Sequence, residues 1–517
     1  MKRSQIKNLM LTAFSAAFVL SCTDLEIEGT DSIISTDSGT QFSGVADVEG
    51  SLDNIYNGIN RLGDQANYFA LQEVATDEAL VPTRGTDWGD NGIWRTLHNH
   101  TWDPAHQFVL NTWNNWNQTV FQASEVADPL SNGSAEQVAQ AKFVRAFAMW
   151  IVMDNWGQVP FRQPNEGPEI DPTVLTRTEA LDFILTDLDD AIAGLPTVAA
   201  MDMDNLQRGT KASARFLKAR VLLNAHIYNG SGTPDSGDMN EVISLVDAIA
   251  ADGFALQDGY FDIFTEAADT ETIWWIPTGV GNRIWNGMHY NINSPDNEGG
   301  GWNGFTTLAE FYDLFEGDPN SNTVGSGQEE RRGFVPDASN ADETNLGIGY
   351  GFLIGQQFNE DGTKLKTRPG QDLVFTRDFP GLVGNGEATG IRTIKYHPVN
   401  GGFTAHELVF RYADAHLMKA EAMLRSGGDA TAMVNELRTL RDAAPLGSVS
   451  EQNLIDERGR ELYVEFVRRT DLIRFGQFTK DWQFKDAAAI GDENRNLYPI
   501  PSNAILSNPN LVQNPGY

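Results

Sequence analysis

ELVFRYADAHLMKAEAMLR (407–425) and DATAMVNELRTLRDA (429–443) are two helix-forming runs separated by little more than Gly427-Gly428. Such a pair reads as an αα-hairpin whose tight turn the glycines supply. Ala413, Ala415, Ala420 and Ala422 place small side chains where a neighbouring helix must come close, as tetratricopeptide-type helix pairs require. The full tetratricopeptide consensus is absent, so the pattern speaks for helix pairs rather than for one named repeat.

Working outward, residues 452–475 read as the next helix. Within it Arg458, Glu461, Glu465 and Arg469 stand three and four residues apart, the spacing of an ion-pair ladder, which favours a structural role over a catalytic one. Upstream, residues 133–156 form a long helix ending at Gly157, and Pro160 forbids continuation. Thr176-x-x-Glu179 is a capping box opening a helix over 176–195, with Leu181, Ile184, Leu185 and Leu188 as its apolar stripe. Residues 210–228 read as a third helix. Trp113, Trp116, Trp150 and Trp156 fall on helical stretches and belong to the core. The stretch 254–404 differs: it is rich in Gly, Asn, Asp and aromatics. In it TETIWWIP (270–277) reads as a strand with Trp274 and Trp275 on opposite faces, and FTTLAEFYDLFE (305–316) as an isolated helix. Loops this long are functional or disordered, and their tryptophans argue against disorder. The fold class is mostly α.

The chain carries 71 acidic against 37 basic residues, a formal charge of −34. Such a surface repels nucleic acid and polyanionic glycans, so no nucleic-acid partner is expected. With 41% hydrophobic residues the chain is globular. Its length would ordinarily suggest two or more domains. Cys22 is the single cysteine, so a secreted chain could form no internal disulfide. Lys2, Arg3 and Lys7 precede the apolar run LMLTAFSAAFVL (9–20). That run rises only about 18 Å against a hydrocarbon core of about 30 Å, so residues 1–21 read as a cleaved signal peptide. V-L-S-C (19–22) reads as a lipobox with Cys22 as the lipid-attachment residue; a free thiol is the alternative.

LQEVATDEALV (71–81), AKFVRAFAMWIVMDNWGQVPF (141–161), RYADAHLMKAEAMLRSG (411–427), RGRELYVEFVRRTDLIRFG (458–476) and LYPIPSNAILSNPNLVQNPGY (497–517) occur in that order behind the lipobox. Together they resemble the SusD/RagB family of outer-membrane glycan-binding lipoproteins. The resemblance implies one SusD-like domain over 22–517. Four tetratricopeptide-like helix pairs, an α-α superhelix over about 45–250 and 405–476, would carry irregular loop insertions and a few short strands, with the ligand-facing insertion over about 254–404. It also implies a partner: a SusC-like TonB-dependent outer-membrane transporter, which the lipoprotein caps like a hinged lid. The acidic T-D-L-E-I-E after Cys22 resembles the stretch that follows the acylated cysteine of surface-exported lipoproteins in Bacteroidota, which implies an extracellular-facing, lipid-anchored protein.

Sugar rings present apolar CH faces and hydroxyl edges, so a glycan site needs flat aromatics beside amide, carboxylate or guanidinium groups. Two stretches supply both. TRGTDWGDNGIWRTLHNHTW (83–102) offers Trp88, Trp94, Arg84, Asp87 and Asn91, and WNGMHYNINSPDNEGGGWNG (285–304) offers Trp285, Tyr290, Trp302 and Asn303. Each tryptophan has a competing reading as a core residue. The ligand expected is a neutral oligo- or polysaccharide, with a β-1,3-glucan as a guess. His98, His100, Asp103 and His106 have the spacing of a metal cluster but sit in a polar stretch, and no metal or other cofactor is expected. GGGWNG (299–304) fits G-x-G-x-x-G but follows no hydrophobic strand, so it fails as a dinucleotide loop. No G-x-S-x-G elbow occurs and no carboxylate pair stands out, so no enzyme is expected. The alternatives are a secreted glycoside hydrolase and a helix-repeat adaptor that binds only protein.

Overall fold

The computed structural model describes residues 42–280, 286–292, 300–399 and 402–517. The signal peptide, Cys22 and Trp285 lie outside the described residues.

From Gly44 to Tyr517 the chain forms one unit built on stacked helices. After α1 (Val48–Ile59) come α2 (Gln107–Ala127) and α3 (Ala135–Trp156). Ser134 opens α3 with a capping box: its hydroxyl accepts from the Gln137 N–H, and the Gln137 side chain accepts from the Ser134 N–H. Gly157 closes the helix at φ +69°, a conformation a residue without Cβ adopts freely. Between these ends Phe143, Phe147 and Trp150 bury one side of α3 and Met149 and Trp156 another, because a helix apolar all round belongs inside the protein. The helices α2 and α4 (Arg177–Gly194) flank it, with the antiparallel strands β1 (Gln158–Phe161) and β2 (Thr173–Thr176) between α3 and α4 in the chain. Further on, α4 packs on α5 (Lys211–Leu223), α5 on α6 (Ser236–Ala251), α6 on α7 (Tyr412–Arg425), and α7 on both α8 (Thr431–Leu440) and α9 (Glu451–Leu462). Each pair buries the apolar face its predecessor leaves open, the logic of an α-solenoid. The mostly α, tetratricopeptide-like reading stands.

Several element boundaries differ from the sequence reading. Residues Glu407–Arg411 are not the first turns of a helix but strand β7, antiparallel to β3 (Thr272–Ile276), with Thr272 opposite Arg411. Every residue of β7 is buried, and such a short apolar run suits strand and helix alike until its partner is known. Trp274 is buried against Phe143, Phe147 and Phe410, while Trp275 lies half-buried past a register shift. The run 210–228 pauses at Asn224, and the helix expected over 305–316 shrinks to the single turn Ala309–Tyr312. Within 254–404 the strands β4 (Gly333–Phe334), β5 (Tyr350–Leu353) and β6 (Arg392–Ile394) form a small antiparallel sheet in that order.

The ladder expected along 452–475 does not form. After α9 the chain leaves helical geometry, with Val464 at φ +56° and Phe466 at φ +65°, and α10 (Arg468–Arg474) starts anew. The charged residues instead reach distant elements. Glu461 meets Arg411 at 2.7 Å, Arg441 at 3.1 Å and Arg331 at 3.2 Å. Arg458 meets Asp414 and Asp471, Arg469 meets Asp154, and Arg468 grips Asp77 at 2.8 Å. Burial works to raise the Glu457 carboxyl, but Arg331, Arg460 and Arg438 outweigh it and hold it down to about 2. Thus the T-D-E stretch near residue 77 and the R-R-T-D-L-I-R stretch of α10 are joined by a buried, two-pronged ion pair, Asp77 with Arg468. The terminal Q-N-P-G-Y packs on the end of α3, where the Asn514 amide donates to the Trp156 carbonyl at 3.0 Å.

Candidate functional site

The loop 83–92 and the segments 286–292 and 300–305 meet on one face, joined there by segments 366–372 and 385–392. Arg84 and Asp87 exchange main-chain hydrogen bonds of 3.0 and 2.9 Å, which closes a tight turn with Gly85-Thr86 at its tip and sets Asp87 and Trp88 at its exit. Backbone strain gathers here. Trp88, Asp90 and Asn91 have φ of +59°, +35° and +51°, and Asn303 across the face has +56°. Non-glycine residues in this region cost of order 1–3 kcal/mol each and persist where the surroundings impose them, often at ligand sites.

Trp88 is half-buried. Its indole N–H donates to the Trp302 carbonyl at 2.7 Å, and its ring meets Trp94 and Phe305 edge-on at 6.1 and 5.8 Å. Gly304 lies directly under it, where a Cβ would collide with the indole. Close packing, not phosphate binding, explains this glycine of G-G-G-W-N-G. Trp302 itself stands 65% exposed. Trp94 is 4% exposed, with Phe108 at 4.6 Å and Phe305 at 5.3 Å, so it is the floor under Trp88 and cannot offer a face to a ligand. Trp102 is buried against the chain end, donating to the Tyr517 hydroxyl at 2.6 Å.

Tyr290 is half-buried, and its hydroxyl donates to Asp87. Arg368 lies over its ring, 3.6 Å from the centroid, with Nε 2.5 Å from Glu387 and Nη2 3.4 Å from Asp87. The Asn291 main-chain N–H donates to His289 Nδ1 at 3.1 Å, so Nε2 carries the proton that His289 gives to Glu387, also at 3.1 Å. Burial pushes His289 down to about 4, leaving it neutral at pH 7. Burial works to raise the Glu387 carboxyl, but hydrogen bonds from Arg368 and His289 hold it below the usual range.

Arg84 and Asn303 were expected to contact ligand, but both are buried and serve the loops instead. Arg84 donates to the carbonyls of Thr389 at 2.6 Å and Gly386 at 3.2 Å. The Asn303 amide donates to the Glu387 carbonyl at 2.9 Å and accepts from Arg392 at 2.7 Å. Arg392 donates as well to the carbonyls of Glu387, Thr389 and Gly390. Burial pushes Arg84 down to about 9, and burial plus the Arg84 charge pushes Arg392 down further from its ordinary value. Asn91 is exposed on the turn. His98, His100 and His106 point at separate main-chain carbonyls, and among the described residues no His, Cys, Asp and Glu side chains gather as a metal site.

The face therefore offers Trp302, an edge of Trp88, Tyr290, Asp87, Glu387, Arg368 and Asn91. Sequence reasoning missed Arg368, Glu387, His289 and Arg392. R-P-G (368–370) reads only as a turn, and no local pattern ties it to Tyr290.

A model of the SusD family matches residues 270–517, and a model described as starch-binding associating with outer membrane matches residues 32–223. The chain is 28% identical over 495 residues to the starch-binding protein SusD of Bacteroides thetaiotaomicron, covering 87% of this chain and 85% of that protein. A solved SusD-like protein from Bacteroides fragilis aligns with a TM-score of 0.71 at 19% identity, over 93% of this chain and 99% of that one. A solved laminarin-binding SusD-like protein aligns with a TM-score of 0.63 at 21% identity, over 92% and 100%. These last two likenesses are of fold.

Proposed function

This chain belongs to the SusD family, and we propose that it is a non-catalytic, outer-membrane glycan-binding protein that captures a neutral oligo- or polysaccharide. The observation that carries the reading is Trp302, a large aromatic side chain left 65% exposed on a segment whose main chain bonds to Met288, His289 and the Trp88 indole, within the loop cluster that holds Tyr290 and two carboxylates. An exposed apolar ring next to fixed polar groups is what a sugar requires: stacking for the CH face, acceptors for the hydroxyls. Asp87 and Glu387 accept from hydroxyls and repel uronate or sulfate, which fits a neutral ligand. Starch and laminarin, named for a relative and for a structural neighbour, are both neutral glucans, so a β-1,3-glucan is the first ligand to try.

Weak affinity suffices, because a polymer offers many sites and a tethered receptor rebinds. The anchor would be Cys22, and the captured sugar would pass to a SusC-like TonB-dependent transporter on the extracellular side. A hydrolase needs, within reach of its substrate, a carboxyl that keeps its proton near neutral pH; on this face Glu387 is held in the opposite direction, and Glu73 and Glu78, which burial raises, lie in the core.

Affinity electrophoresis of the protein through gels of neutral and anionic polysaccharides tests this, with Trp302→Ala alongside. A neutral glucan retards the wild type and not the variant. Stronger retardation by a sulfated or uronate polymer would overturn the neutral ligand, and reducing-sugar release would revive the hydrolase. An undiminished Trp302→Ala would move the site elsewhere. Cys22→Ser should leave the membrane fraction; if it still sediments with membranes, the anchor assignment fails.

A further inference from the structure

We infer that the ring of Tyr290 is a saccharide subsite whose place the Arg368 guanidinium fills, and that a pyranose ring enters by displacing Arg368. The inference rests on the glycan-binding reading and goes one step further, to a particular ring and the side chain that competes for it.

The guanidinium imitates a sugar at every contact. It is flat and lies on the aromatic face, 3.6 Å from the ring centroid. Its edge N–H groups reach Glu387 at 2.5 Å and Asp87 at 3.4 Å. A pyranose uses the same three partners: CH groups on the ring face, hydroxyls donating to the two carboxylates.

Arg368 is also easily moved. Its side chain is 50% exposed, and its Asp87 contact is too long for a good hydrogen bond. Its pair with Glu387 is half-exposed, open to solvent on the arginine side, where water screens it and lowers what it contributes. Its main-chain N–H separately donates to Glu387 at 2.9 Å, so the side chain can swing out while the loop stays in place. What remains behind is already arranged. Tyr290 is held by Asp87, Glu387 is held by His289, and Asn291 is held by the Lys366 carbonyl at 2.8 Å. The side chain of Arg84, by contrast, is buried and bonded to carbonyls, and it does not compete for the ring.

Displacement has a selectivity consequence. With Arg368 swung aside, the subsite presents two carboxylates and one ring, which suits a neutral sugar and disfavours an anionic one.

The test is isothermal titration of the protein with maltohexaose and laminarihexaose at low and high salt, for wild type, Arg368→Ala, Arg368→Lys and Tyr290→Ala. Removing the placeholder should tighten binding of the accepted glucan about threefold to tenfold, the combined value of an exposed cation–π contact and an exposed ion pair. Arg368→Lys should fall between, since an ammonium keeps the charge and loses the flat fork. Salt should strengthen wild-type binding by loosening Arg368 from its carboxylates and should leave Arg368→Ala unmoved. Tyr290→Ala should weaken binding. Weaker binding by Arg368→Ala would make Arg368 a ligand contact and overturn the displacement. Unchanged binding by Arg368→Ala or by Tyr290→Ala would place the sugar elsewhere, with the glycan-binding reading intact. Binding by neither wild type nor Arg368→Ala, to either glucan or to the polysaccharide gels, would overturn both readings. Binding by Arg368→Ala alone would uphold both.

Discussion

Buried arginines are treated in opposite ways in the helical scaffold and on the loop face. In the scaffold each guanidinium meets carboxylates: Arg411 with Glu271, Glu461 and Glu465, Arg474 with Glu421 and Asp471, Arg468 with Asp77. Beneath the loop face Arg84 and Arg392 meet main-chain carbonyls and the Asn303 amide. The two regions have different orphans to satisfy. Helices and paired strands satisfy their own main chain, so a buried charge there must find another charge. Irregular loops leave carbonyls unpaired, and a five-donor fork can collect several of them from segments that share no ladder. Carboxylates are thereby spared for the surface, where Asp87 and Glu387 stand beside Tyr290.

The sharpest way to break this comparison is Glu461→Gln. Losing one partner of a buried pair leaves Arg411, Arg441 and Arg331 short of charge, and the expected cost is about 3–5 kcal/mol in chemical denaturation. A cost under about 1 kcal/mol would mean the network does not hold the scaffold. Next comes Arg392→Met, which strands the Gly390 carbonyl and the Asn303 amide oxygen, while Arg84 still serves Thr389 and Asn303 still serves Glu387; the expected cost is about 1–3 kcal/mol for a group left unsatisfied. Glucan retardation should be lost while the scaffold still melts cooperatively. Retained retardation would mean the loops hold their shape without that fork. Trp302→Ala touches neither support. It should cost glucan affinity about tenfold or more and move stability by no more than about 0.5 kcal/mol; a large thermal shift would mark the indole as structural.

The smallest effect is one of pH, and the scaffold gives it two signs. Burial works to raise Glu457, but its arginines hold it at about 2, below the ordinary 4.5. Its stabilisation is therefore present above the ordinary value and lost as pH falls toward about 2. Glu73 and Glu78 are the reverse case. Burial raises both, and the Glu73 charge raises Glu78 further. Stability linked to that pair is complete below pH 4.5 and declines as pH rises from there. Glu73→Gln should flatten the rising-pH limb, an effect under about 2 kcal/mol, and leave acid unfolding unchanged. An unaltered profile between pH 5 and 8 would count against the pair.

Some of the candidate site was legible and some was not, for identifiable reasons. Trp302 and Asp87 could be picked out because a tryptophan in a Gly/Asn-rich stretch has few local partners to bury it. Trp94 belonged to an equally suggestive stretch, yet its helical turn, Ile93–His98, rolls it onto Phe108 and Phe305. Arg84 and Asn303 were chosen for their donors, and those donors serve neighbouring loops. Arg368 and Glu387 carried no signal, because their neighbours in sequence say nothing of Tyr290.

What the sequence determined by itself is what acts within a turn or two. The capping boxes at Ser134 and Thr176, the stop at Gly157, the glycine turn at 427–428 and the core placement of Trp113, Trp116, Trp150 and Trp156 all depend on residues a few positions apart. Tertiary structure alone decided that Glu407–Arg411 is a strand, since β3 lies far upstream and supplies its hydrogen bonds. It decided the break at 463–467, where α9 and α10 must each reach different buried partners. It also brought Asp87, Tyr290, Arg368 and Glu387 together, because a site made from four loops exists only once the scaffold has set where those loops begin and end.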